Sequence, residues 1–172
     1  MSATYLRSYS EDRRGDNLLA RSVIVSVLLL LVTASSAPAS LSLSEREEIA
    51  TIATESPMID LDIEFESRSS KIGVRSAAFV ELEALGLALT NPDLKDCTFI
   101  VAGHTAFEGR GAYDQDLSER RADAVKRFLV ENFDLLPEHL ITVGYGSSKP
   151  KFPSDPLAPI NQRVQIINVT GK

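Results

Sequence analysis

One arginine stands where helical periodicity calls for an apolar residue. Stepping about 100° per residue from Leu117, the residues Ala122, Ala124, Val125, Phe128 and Leu129 fall within one broad apolar stripe, and Arg121 lands near its middle. Arg120, Lys126 and Arg127 point away from it. A guanidinium facing a core needs an anionic partner or a rim where its head escapes, because burying it unpaired is costly. Its place in the first turn of the helix, beside the loop that follows a strand, favours the rim. Asp114, Asp116 and Glu108 are all near enough in sequence for an internal salt bridge. A ligand carboxylate suits the planar fork equally well, since arginine binds carboxylates bidentately. Spacing alone leaves both open.

Other reactive side chains offer less. His104, Ser118 and Asp114 make a hydrolase triad only on paper. The sequence has no nucleophile elbow, and Ser118 sits on a first helical turn, where a hydroxyl commonly caps. His104 reads as a hydrogen-bonding strut for the loop that follows it. Cys97 is the one cysteine. It has no companion for a disulfide or a zinc site, and on an apolar strand it reads as a small buried hydrophobe. The expectation is a chain with no enzymatic activity, no cofactor and no metal.

The elements that must position Arg121 follow from periodicity. Met58 to Phe65 alternates, with Ile59, Leu61, Ile63 and Phe65 on one face and Asp60, Asp62 and Glu64 on the other. This is the pattern of a half-buried strand, its acidic face toward solvent on a sheet covered on the other side only. From Ser76, Ala78, Phe79, Leu82, Leu85 and Leu89 recur at helical spacing until Asn91-Pro92 stops them. Cys97–Ala102 is a short apolar strand, Gly103–Gly111 a loop with turn glycines, and Asp116–Asn132 the arginine-bearing helix, opened by an Asp116/Glu119 capping box. Ile141–Gly146 is a third strand, a proline-spaced loop follows, and Gln162–Val169 is the last strand. The order β-α-β-α-β-β predicts a two-layer α/β sandwich, a mixed four-stranded sheet with two helices on one face.

In front of this domain, taken as residues 58–172, lie two other segments. Arg13, Arg14 and Arg21 precede the uncharged run Ser22–Val32, and Ala37-Pro38-Ala39 supplies small residues for a signal peptidase. Spanning a bilayer core takes about 20 residues, and this run is shorter. Residues 1–39 therefore read as a cleaved signal peptide, with an uncleaved anchor as the alternative and membrane association following only in that case. Residues 40–57 read as a polar linker with a short helix. The whole chain has 172 residues, 44% hydrophobic and 24% charged, with a formal charge of −6. Such an acidic balance without a basic cluster argues against nucleic acid as a partner.

Several short motifs recur together in a known order. Gly103-His104-Thr105, Gly109, Leu117-Ser118-x-x-Arg121-Ala122, Gly144-x-Gly146, Pro150 and Asn161-Gln162-Arg163-Val164 resemble the signature of the OmpA-like C-terminal domain. The resemblance covers about Ile59 to Val169. It implies a periplasmic, cell-wall- or outer-membrane-associated module of a Gram-negative-type bacterium that holds peptidoglycan non-covalently, as in outer-membrane barrels, peptidoglycan-associated lipoproteins and flagellar stator subunits. In that family the arginine of the Leu-Ser-x-x-Arg-Ala motif takes the carboxylate of diaminopimelate, and an aspartate directly after Gly-His-Thr takes its ammonium.

By that resemblance the stem-peptide site comprises Thr105, Ala106, Glu108, Asp114, Leu117, Arg121, Asn161 and Arg163. The sequence departs from the family where the charge matters. Ala106 stands at the acidic position, Asp114 replaces an asparagine, and Gln162 replaces the middle arginine of Asn-Arg-Arg. Losing one charge-assisted hydrogen bond costs about 1.5–3 kcal/mol, roughly tenfold to more than a hundredfold in affinity. Glu108 or Asp114 would have to make good the missing charge. The expected function is peptidoglycan binding weakened by Ala106. The alternative is the same fold used as a protein-interaction module for an envelope partner, no longer binding the wall.

Overall fold

A computed structural model describes residues 41–54, 56–63, 65–66, 69–72, 77–107 and 111–170. The signal segment and Glu108 lie outside the described residues. The elements run α1 (Leu43–Thr54), β1 (Met58–Leu61), α2 (Ala77–Leu89), β2 (Phe99–His104), α3 (Gly111–Phe133), β3 (Leu140–Gly144) and β4 (Arg163–Asn168). The strands form one four-stranded sheet in the order β1-β4-β2-β3. Only β2 and β3 are parallel, because α3 carries the chain back across the sheet between them. β4 lies antiparallel between β1 and β2.

Alternation divides the sheet side chains between two cores. Leu61, Phe99, Val101, Leu140, Val164 and Ile166 face α2 and α3, where they pack on Leu82, Leu85, Leu89, Ala122, Val125 and Leu129. This is the expected layer of two helices on one face. The opposite face is not open. Ile100, Ala102, Ile141, Val143, Tyr145, Ile167 and Val169 are covered by α1 through Ile49 and Ile52, with Leu41, Ala50 and Ala53 at the margin. The stretch expected to be a linker is thus a third layer. β2 is buried at all six positions, and a strand apolar on both faces must be covered on both. The Tyr145 hydroxyl donates to the Arg46 carbonyl at 3.3 Å. Arg46 in turn reaches Glu119 of α3 at 3.4 Å, so α1 is clasped to both the sheet and the far helix.

Four local expectations change. Ile59 is exposed rather than buried, because β1 is the sheet edge and only its end, Leu61, reaches under the helices. Asp60 is not simply solvated. It accepts from Lys151 Nζ at 2.5 Å and from Arg163 Nε at 3.3 Å. α3 begins at Gly111, not Asp116, and the Asp116 carboxylate pairs forward with Arg120 at 2.7 Å instead of capping. Gly103 and His104 extend β2 where a loop was expected, since both find ladder partners, Gly103 opposite Gly144 and Val164, His104 opposite Arg163.

Candidate functional site

α3 crosses the carboxyl ends of β2 and β3 at very close range, and that crossing fixes the site. Gln115 Nε2 donates to the Gly144 carbonyl at 2.6 Å. Ser118 Oγ donates to the Gln115 carbonyl at 2.7 Å and accepts from the Gly146 N–H at 2.8 Å. Both hydrogen-bonding directions of Ser118 are thereby used on backbone, which leaves this hydroxyl in a structural role. A Cβ on Gly144 would stand 2.5 Å from Ser118 Oγ and 2.6 Å from the Glu119 nitrogen. One on Gly103 would collide with the Ser118 carbonyl oxygen. Gly146 takes φ +52°, a left-handed conformation that glycine adopts without penalty.

The docked helix turns Asp114, Leu117, Ser118 and Arg121 inward, all of them buried. Arg121 is only 3% exposed. Its Nε donates to the Ser69 carbonyl at 3.1 Å, and its guanidinium carbon lies 4.7 Å from the centre of the Phe65 ring, a cation–π contact. The cover comes from a tight reversal in which Phe65 bridges Ile72 and Glu66 N–H donates to the Lys71 carbonyl at 3.0 Å. Arg121 is therefore roofed, not perched on a rim. Asp116, one of its three acidic sequence neighbours, is committed to Arg120 on the outer face.

The backbones of Thr105 and Asp114 both approach Gly146. The Thr105 N–H donates to the Gly146 carbonyl at 2.9 Å, while the Asp114 carbonyl carbon lies 3.2 Å from where a Gly146 Cβ would be. Thr105 Oγ1 and Asp114 Oδ2 are buried with no hydrogen-bond partner among the described residues. Ala106 follows, half-buried, and Phe107 N–H ties the loop to the Pro156 carbonyl at 3.0 Å.

The family model described as the OmpA family matches residues 64–163, more than half of the chain. The chain belongs to the OmpA family. It is 36% identical over 92 residues to outer membrane porin F of Pseudomonas aeruginosa, covering 54% of this chain and 25% of that one. It is 41% identical over 51 residues to the peptidoglycan-associated lipoprotein of Buchnera aphidicola, covering 30% and 29%. The periplasmic domain of Helicobacter pylori MotB superposes with a TM-score of 0.56 at 20% identity, over 67% of this chain and 83% of that one, and shares the fold. The chain spans about a quarter of the length of the porin F relatives it matches.

The remaining site candidates of this OmpA-family domain make hydrogen bonds to other parts of the chain. Asn161, fully buried, accepts from the Phe152 N–H at 2.8 Å and donates to the Asp155 carbonyl at 2.9 Å, so it organises the proline-rich loop. Arg163 precedes Val164, which faces α3, and alternation turns its side chain to the other face of the sheet. There it donates to Asp60, and to the Lys149 carbonyl at 3.4 Å. Burial pushes the Asp60 carboxyl up, but Lys151, Gln165 and Arg163 outweigh it and hold it below its ordinary value. The structure thus sets the backbones of Thr105 and Asp114 against Gly146, buries Asp114, Leu117 and Arg121 along one helix, and puts Arg121 against the unforeseen Phe65 and Ser69. Phe65 was legible only as an apolar strand position, and nothing in the sequence marked Ser69.

His104 shares the second face with Arg163. Its Nε2–H donates to Gln165 Oε1 at 2.8 Å and its ring tilts against Tyr145 at 5.4 Å. Burial, then the charge of Arg163, drops its pKa from 6.5 to about 4. The folded state refuses a proton that the unfolded chain accepts. The associated stability is complete above pH 6.5 and is lost as the pH falls toward about 4, at most about 3 kcal/mol. Denaturant unfolding of the wild-type chain between those limits is expected to show this slope, and His104→Gln should flatten it. An equal slope in both would place the titrating group elsewhere.

Proposed function

We propose that this chain is a non-catalytic envelope module that holds peptidoglycan non-covalently through the zwitterionic end of diaminopimelate in the stem peptide. The observation that carries the reading is Arg121, a buried cation held at the site by a carbonyl oxygen and an aromatic face. A ligand carboxylate competes well with either of these two contacts, because a charge-assisted, bidentate pair is stronger than a bond to a neutral carbonyl or ring. The name of the Buchnera relative, a peptidoglycan-associated lipoprotein, supports the same ligand. Ala106 brings no charge to the loop, so binding is weaker than a complete charge clamp would give. Export by residues 1–39 places the module in the periplasm of a Gram-negative-type bacterium, beside the wall or the outer membrane.

The test is co-sedimentation of the full-length chain with purified sacculi. The wild type is expected to pellet, and Arg121→Ala to lose at least tenfold in affinity while remaining folded. Equal pelleting of both would remove Arg121 from the ligand site.

A second reading has its own observation. Phe107, Phe152, Leu157 and Ile160 are all exposed. The Phe107–Pro156 hydrogen bond ties their two loops together, and the Phe152–Asn161 bond braces the second. An apolar rim of this kind suits an envelope protein partner. A wild type that ignores sacculi would favour that use of the fold.

A further inference from the structure

We infer that Asp114 and Thr105 form the ammonium seat of this site, taking over from the loop position occupied by Ala106; this rests on the peptidoglycan reading above. Native proteins leave few buried polar atoms without a hydrogen bond, and such atoms call for an explanation. Here two of them belong to residues whose backbones both approach Gly146. Thr105 is 4% exposed and Asp114 1% exposed, and Thr105 Oγ1 and Asp114 Oδ2 have no partner among the described residues. One is a hydroxyl oxygen and the other a carboxylate oxygen, both acceptors. An ammonium carries three donors and no acceptor. In this seat the carboxylate gives it a charge-assisted hydrogen bond and the hydroxyl a neutral one.

The placement on α3 also suits a zwitterion. Asp114 and Arg121 are both buried on the inner side of the same helix, seven residues apart. Seven residues are two turns, about 10 Å between Cα atoms. The longer arginine side chain leans back toward the amino end of the helix, so its fork closes much of that interval. A carbon bearing both an ammonium and a carboxylate is the ligand group that bridges what remains. The anion and cation of the clamp then ride on one rigid helix, whose position the crossing over Gly103, Gly144 and Gly146 holds fixed. A carboxylate serving only the helix dipole would stabilise α3 without discriminating between ligands.

The test uses the full-length chain with diaminopimelate-containing sacculi, either native or with their free amines acetylated. Asp114→Asn is expected to weaken binding to native sacculi tenfold or more. Acetylation should weaken wild-type binding by a similar factor and leave Asp114→Asn with no further loss. Adding Ala106→Asp to Asp114→Asn should restore binding to native sacculi, which a misfolded protein cannot do. Thr105→Val, which keeps shape and removes the acceptor, should lose several-fold and lose less again on acetylation. The inference is overturned if Asp114→Asn binds native sacculi as the wild type does, or if acetylation weakens both equally. Either result leaves the peptidoglycan reading standing. A wild type that binds neither preparation sinks that reading as well.

Discussion

Gly103→Ala is expected to lower the melting temperature of the chain by about 10 °C or more. The added methyl group would meet the carbonyl oxygen of Ser118, a backbone atom within α3. No side chain can rotate away to relieve it. The helix would have to lift, and lifting stretches the Gln115–Gly144 and Ser118–Gly146 hydrogen bonds that dock it. Overpacking costs about 1–3 kcal/mol, occasionally more, and the rigid partner puts this site at the upper end. In a domain of this size each 1 kcal/mol moves the melting temperature by roughly 2–8 °C. Gly111→Ala is the control, since a methyl there meets nothing within 4 Å. Thermal unfolding followed by circular dichroism should separate the two. Equal melting temperatures would mean that α3 does not cross the strands this closely.

Ile49→Asp should release α1 from the sheet. Ile49 is fully buried against the face made by Ile100, Ala102, Ile141, Val143 and Ile167. Truncating such a side chain to alanine typically costs about 2–5 kcal/mol, and a carboxylate adds the penalty of a buried charge without a partner. With α1 undocked, an apolar sheet face opens to water. The expected result is strong binding of a hydrophobic dye at temperatures where the wild type binds none, with loss of the Arg46–Glu119 clasp. Ile49→Ala should lower stability by about 3 kcal/mol without exposing the face. Wild-type dye binding by Ile49→Asp would show that α1 is only loosely applied and that residues 40–57 are a linker after all.

The sandwich with α2 and α3 on one face was legible because its signals are local. Leu82, Leu85 and Leu89 repeat at helical spacing, and Val164 and Ile166 alternate. The layer formed by α1 was not. Ile49, Ile52 and Ala53 sit among Glu45, Arg46, Glu47 and Glu48, and so short a stripe gives little sign of what it covers. The better clue lay in β2, whose run Phe99–Ala102 is apolar at even and odd positions alike. The site divides in the same way. Arg121 declared itself as a charge on an apolar stripe. Its roof did not, because Phe65 and Ser69 reach it through a chain reversal that no periodicity encodes. Asn161 and Arg163 follow the family motif in sequence, yet their hydrogen bonds serve the proline-rich loop and the β1 edge. Gly103, expected in a turn, is required because a helix backbone passes over it.

In the proposed function Arg121 exchanges the Ser69 carbonyl for a ligand carboxylate. The most direct measurement follows the Arg121 Nε–Hε resonance of the nitrogen-15-labelled full-length chain. The titrant is a stem tripeptide ending in diaminopimelate. A saturable shift of that resonance is expected, together with the backbone amide of Thr105, and no shift when the tripeptide ends in the corresponding diamide. An Arg121 signal that stays in place at saturating tripeptide, or that moves equally with the diamide, would contradict it.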